Sequence, residues 1–229
     1  MSVTLETIAA GLEAEGLVLL GAFHPTAQDA VPPQPGGRPS RTLVLAGNVG
    51  GSLWPAFSAA PEARDGVPDP LDRWSARVIG ALAVRMDALA VFPFGGPPYH
   101  PFQRWAQRAA VLTPSPIGVL IHPDHGLWHA FRGALALAVP LPLPSPDLRP
   151  SPCESFAARP CLTTCPVGAF TETGYDVAAC AGHIATPAGA DCLGLGCRAR
   201  RACPVGRQHH YPAAQAEFHM SAFLAARRP

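Results

Sequence analysis

The chain has 229 residues, 48% of them hydrophobic, enough to bury a core as one large domain or as a medium domain with a small appendage. Charged residues are only 14%, every one of the 17 basic residues is Arg, and the net charge is +1 with no basic run, so the electrostatic footprint of nucleic-acid binding is missing. Pro or Gly interrupts every apolar stretch before it reaches membrane-span length, and the opening residues carry Glu6, Glu13 and Glu15 without the basic cluster of an export signal. The expected setting is cytoplasmic and reducing, where clustered cysteines are metal ligands rather than disulfides.

In chain order, Leu5, Ile8 and Leu12 recur at helical spacing and Gly16 follows as a stop, which predicts an opening helix. Residues 17–22 and 42–46 read as buried strands separated by a Pro/Gly loop at 34–40. The second strand runs into Gly47-Asn48-Val49-Gly50-Gly51-Ser52, expected as a strand-to-helix turn. Without a Lys this is no P-loop, although backbone N–H groups at a helix start suit an anionic cofactor group. Asp69-Pro70 is expected to cap and begin a helix whose buried stripe is Leu71, Trp74, Val78 and Leu82. A strand at 88–92, an aromatic, proline-rich loop at 92–100 and a helix at 101–110 follow. Residues 117–121 and 127–138 are two β runs around His122-Pro123-Asp124-His125-Gly126, a hairpin pattern. Residues 140–152 form a proline-rich, extended connector. Residues 213–226 read as a closing helix with Phe218, Phe223 and Leu224 apolar. The expected organisation is α+β: a sheet-and-helix cofactor-binding domain at 1–139, the connector at 140–152, and a small module with a C-terminal helix at 153–229.

All seven cysteines fall in that last module: Cys153, Cys161, Cys165, Cys180, Cys192, Cys197 and Cys203. The segment Cys-Pro-Val-Gly occurs twice, at 165–168 and 203–206. Iron–sulfur ligation explains the echo. In two-cluster ferredoxins a run of cysteines ends in Cys-Pro, and that last Cys crosses to the other cluster. Thiolates are soft anionic donors suited to iron; the proline turns the chain away, and the glycine admits backbone close to inorganic sulfide. The crossing rule joins Cys165 to Cys180, Cys192 and Cys197, a complete 4Fe–4S ligand set. It leaves Cys153, Cys161 and Cys203, three thiolates that need a non-Cys ligand (His183, His209 or His210) or an open iron. The wide gaps between Cys192, Cys197 and Cys203 depart from the compact pattern. Structural zinc is the main competing reading, but zinc cysteines usually come in closely spaced pairs, and none occurs here. Buried free thiols and disulfides are the other two.

Two family resemblances follow from these residues. The segment CLTTCPVGAF, the following YDVAAC and the terminal Cys-Pro resemble the ferredoxin-like module of epoxyqueuosine reductases. Residues 1–153, above all SPIGVLIHPDHGLWHAFRGALAL with DPLDRW and TLVLAG before it, look like the cobalamin-processing CblC family (methylmalonic aciduria and homocystinuria type C). The first resemblance implies one 4Fe–4S cluster or two. The second implies a nitroreductase-like fold holding a corrinoid or flavin. His122 and Arg132 fall in the CblC-like stretch, and Phe94 and Tyr99 in an aromatic loop suited to a flat macrocycle, so these four are the candidate cofactor contacts. The function this implies is reduction of a cobalamin-type cofactor, with the clusters passing electrons to cobalt and a redox partner protein supplying them. The rival readings are a plain electron carrier and a corrinoid-trafficking chaperone with a structural metal site. The catalytic signature of epoxyqueuosine reductase itself is not seen in the first half. No paired carboxylates or activated nucleophile suggest hydrolysis, and no catalytic residue is assigned.

Overall fold

A computed structural model gives the fold and describes residues 2–156, 158–171 and 174–227. The first part of the chain runs α1 (Leu5–Glu13), β1 (Val18–Phe23), β2 (Thr42–Val49), α2 (Trp54–Ala59), α3 (Pro70–Arg85), β3 (Ala88–Val91) and α4 (Phe102–Ala109). Then come β4 (Thr113–Pro114), β5 (Leu120–Ile121), β6 (His129–Leu137), α5 (Pro160–Thr163), β7 (Phe170–Thr171) and β8 (Gly174–Tyr175). The chain closes with α6 (Val177–Ile184), α7 (Ala190–Leu195), α8 (Arg198–Arg201) and α9 (Ala213–Ala225). The protein is mixed α+β and divides into two compact units, Met1–Val111 with Ala130–Leu148, and Leu112–His129 with Arg149–Pro229. The division differs from a cut at 139 and 153: residues 112–129 pack with the cysteine-rich segment, and most of the proline-rich connector packs with the first unit.

The first unit is built on a four-stranded antiparallel sheet in the order β1-β2-β6-β3. β2 is buried along nearly its whole length, as a central strand covered on both faces must be. It runs further than its sequence suggests and takes in Gly47. A β-carbon at Gly47 would sit 1.9 Å from the Ala130 carbonyl oxygen, so the close strand approach requires glycine. The turn starts only at Gly50, with φ 53°, and the helix after it has just six residues. α1 is capped by Thr4, whose side chain accepts from the Thr7 N–H while the Thr7 hydroxyl accepts from the Thr4 N–H. α3 buries Leu71, Trp74, Val78 and Leu82 as expected, with Ile79 and Ala83 besides. Asp69 precedes it in the left-handed region and makes no side-chain cap, so Pro70 at the first helical position is the start signal that operates. Each large side chain buried fully in this core contributes roughly 1.5–3 kcal/mol.

The second unit contains β4–β5, the β7–β8 hairpin and α5 to α9. The hairpin expected between 117–121 and 127–138 does not form. β5 pairs back with β4, β6 enters the large sheet between β2 and β3, and a single His122–Gly126 bridge closes the turn. Composition explains this. Gly133 to Leu137 in β6 are buried throughout, which suits a central strand, whereas Pro116 and Gly118 break the earlier run. In α9 the buried residues are Gln215 and Ala216, while Phe218, Phe223 and Leu224 are half-buried. Among the described residues no helix is long and apolar enough to cross a membrane.

Candidate metal centres

The seven thiols gather in two places within the second unit. Cys165, Cys180, Cys192 and Cys197 line one recess, together with Phe170, His183 and Met220. Cys153, Cys161 and Cys203 line another, walled by Pro116, Ile121, Phe156 and Val205.

Short helices produce this partition. α5 carries Cys161 in its first turn, directed to the three-thiol recess, and the chain leaving α5 delivers Cys165 to the four-thiol one. α8 repeats the arrangement with Cys197 at its start and Cys203 just past its end, again one for each recess. Between the recesses lies a shared apolar cluster that includes Ile121, Leu127, Leu162 and Ala199. Both Cys-Pro-Val-Gly segments turn on a left-handed glycine, Gly168 at φ 58° and Gly206 at φ 72°. At the first, the Gly168 N–H donates to the Cys165 carbonyl at 3.2 Å and the Ala169 N–H points at Cys165 Sγ at 3.3 Å.

Around the four-thiol recess each element is held locally. Asp176 caps α6 by accepting from the Ala179 N–H at 2.9 Å, which positions Cys180 one turn on. Tyr175, stacked on Phe170 at 4.8 Å, donates its hydroxyl to Cys180. Asp191 pairs with Arg198 at 2.6 Å and with Arg201, tying α7 to α8 beside Cys192 and Cys197. The His183 Nε2 is buried without a protein partner among the described residues.

Electrostatics follow the same grouping. Burial pushes the Cys180 thiol up; the Tyr175 hydroxyl opposes this, and the Cys165 and Cys192 thiolates add to it. Burial also raises Cys197, against the Arg200 and Ala199 N–H groups, with Cys180 and Cys192 as like charges. In the other recess burial raises Cys153 and Cys161, and Cys203 raises both further. Such thiolates repel one another in a dry setting, and a bound cation relieves the repulsion. Among the described residues no three His, Cys, Asp or Glu side chains converge tightly enough for a single metal ion. A tetrahedral zinc site gathers its donors about one ion, whereas a cluster spreads its thiolates over separate irons. Four soft donors, amide N–H groups at the sulfurs and a buried imidazole N–H or N facing the recess fit an iron–sulfur cluster in the first place.

The imidazoles do not complete the three-thiol set. His183 lines the four-thiol recess, His209 packs on His125 at 5.2 Å, and His210 packs on Trp128 at 4.4 Å. His122 stacks on His125 at 4.2 Å, and its Nδ1 accepts the backbone N–H groups of Asp124 and His125 at 3.0 and 3.3 Å, a turn-forming role. Burial holds His125 and His129 down at about 4, so both are neutral at pH 7.

The four candidate cofactor contacts are not in one unit. His122 belongs to the second; Phe94, Tyr99 and Arg132 belong to the first. There Arg132 is ion-paired with Asp72, Phe94 stacks on Phe92 at 5.2 Å, and Tyr99 is exposed. Sequence reasoning missed Tyr175, Arg159 and Arg200. Tyr175-Asp176 ahead of Cys180 is readable as a helix start. Arg200, held between the rings of Trp128 and Tyr211 at 4.4 and 4.6 Å while donating to the Leu127 carbonyl at 2.9 Å, is not. No protein-family model matches the chain, and no curated protein matches it. Fold and site together define a mixed α+β protein with two thiol-lined recesses in one unit.

Proposed function

We propose that the protein is a cytoplasmic iron–sulfur redox protein with two cluster sites. In this reading its second unit is a ferredoxin-like module and its first a nitroreductase-like domain that takes a cobalamin-type corrinoid as electron acceptor. The observation that carries the iron–sulfur part is the separation of the thiols into two recesses, with α5 and α8 and the chain beside them each supplying one cysteine to either side. Cys165, Cys180, Cys192 and Cys197 hold one group and Cys153, Cys161 and Cys203 the other. The groups would supply one-electron transfer. The chain's own residues keep water from the thiols, donate N–H and O–H to the sulfurs, and hold the two sites against one apolar cluster. The corrinoid rests on the CblC resemblance, and a redox partner protein is its consequence. Anaerobically prepared protein is expected to be brown, with iron and acid-labile sulfide. Stoichiometric zinc without sulfide would contradict the reading. A carrier with no corrinoid would hold iron and sulfide but leave added cobalamin unchanged under reductant.

A further inference from the structure

The three-thiol recess has a character of its own. Its described lining offers Cys153, Cys161 and Cys203 and no fourth thiolate, imidazole or carboxylate. The other walls are almost wholly apolar, from Pro116, Ile121, Phe156, Pro204 and Val205. One charge stands in the lining, that of the exposed Arg159, which acts on both Cys153 and Cys161. Phe156 is 40% exposed, so the recess has a mouth.

Granting the iron–sulfur reading, we propose that this recess is a ligand-exchange site, where three thiolates hold the cluster and a small thiolate from solution takes the fourth position. Three features select that ligand. Iron with three thiolates still accepts a soft donor. Apolar walls favour a ligand with a carbon body over hydroxide. A lone guanidinium at the mouth favours an anion. The four-thiol recess has no vacant position and exchanges nothing.

The test uses the full chain, prepared anaerobically without thiols. One-electron oxidation by ferricyanide, itself reduced to ferrocyanide, takes a 2+ four-iron core to 3+. Release of Fe²⁺ from the three-thiol site then leaves a three-iron core of charge 1+. Electron paramagnetic resonance should show that three-iron signal at one per chain, with the sulfide count unchanged. Refilling with ⁵⁷Fe²⁺ and dithionite should label one position, and 2-mercaptoethanol should shift the Mössbauer parameters of that iron alone. Arg159→Gln should weaken the thiol response about two- to fivefold, as loss of one exposed charge does. Protein that keeps all its iron on oxidation, or a labelled iron that ignores the thiol, overturns the inference while leaving the iron–sulfur reading intact. Protein with no iron at all overturns that reading instead.

Discussion

Tyr175 shows how one side chain conditions the four-thiol site. Its hydroxyl donates to Cys180, while burial first and that bond second push its own ionisation upward, so it stays a donor. A hydrogen bond to an anionic acceptor contributes about 1.5–3 kcal/mol, part of which differs between redox states. Tyr175→Phe should therefore lower the reduction potential of that site by on the order of 50 mV, the equivalent of about 1 kcal/mol for one electron. Potentiometric titration checks this, and an unchanged potential would remove Tyr175 from the account. The histidines make a second residue-scale prediction. His125 and His129 titrate near 4 when folded and near 6.5 otherwise. Their folded values are depressed, so the unfolded chain binds protons first as pH falls. The contribution from these two groups is fully present above about pH 6.5 and is lost between there and pH 4. Thermal melts across that window should show a declining Tm, with a flatter decline in His125→Gln/His129→Gln than in the parent chain.

At the scale of elements, the two Cys-Pro-Val-Gly turns are alike in sequence and unlike in surroundings. A β-carbon on Gly168 meets nothing within 4 Å, whereas one on Gly206 would lie 2.4 Å from the His125 backbone. At Gly126 a β-carbon would lie 2.0 Å from the Val205 carbonyl oxygen, so the turn at 122–126 and the second Cys-Pro segment cross backbone to backbone. Gly168→Ala should cost about 1–2 kcal/mol from the left-handed conformation alone. Gly206→Ala should cost more than that, about 3 kcal/mol or above, because the crossing must open. Denaturant unfolding of the two variants separates these values. The cysteines line the two recesses in the grouping that one rule, the crossing of the Cys before Pro, gives from the sequence without any geometry. α1 and α3 were legible from helical spacing and from their stop and start signals. The hairpin at 117–138 was misread because local alternation does not say which neighbour a strand takes, and β6 found its partners in β2 and β3, distant in sequence. Gly47 was misread because its need for glycine comes from Ala130, far along the chain. Of the candidate cofactor contacts, His122 and Arg132 came from one family-like stretch and Phe94 and Tyr99 from the aromatic loop. The boundary between the units within that stretch, with residues 112–129 folding with the cysteines, was not legible because it depends on contacts distant in sequence.

For the whole molecule, the first unit is the proposed corrinoid binder. Adding cobalamin should perturb its visible spectrum and quench Trp fluorescence, and no response at high micromolar cobalamin, oxidised or reduced, would remove the corrinoid from the account. The second unit gathers seven thiols on short helices about two recesses, and in the proposed reading metal binding there would supply folding energy that such small elements lack. Removing one donor from a complete four-thiol set strips an iron of its protein ligand, whereas the three-thiol site is already incomplete. The most direct measurement is therefore the iron content of Cys180→Ala and Cys153→Ala, prepared side by side under anaerobic conditions, with proteolysis of residues 153–206 followed in each. The account predicts that Cys180→Ala loses the four-thiol cluster and loosens this segment, while Cys153→Ala keeps that cluster and is milder. If Cys153→Ala abolishes all iron and Cys180→Ala retains it in full, the assignment of thiols to two separate sites is contradicted.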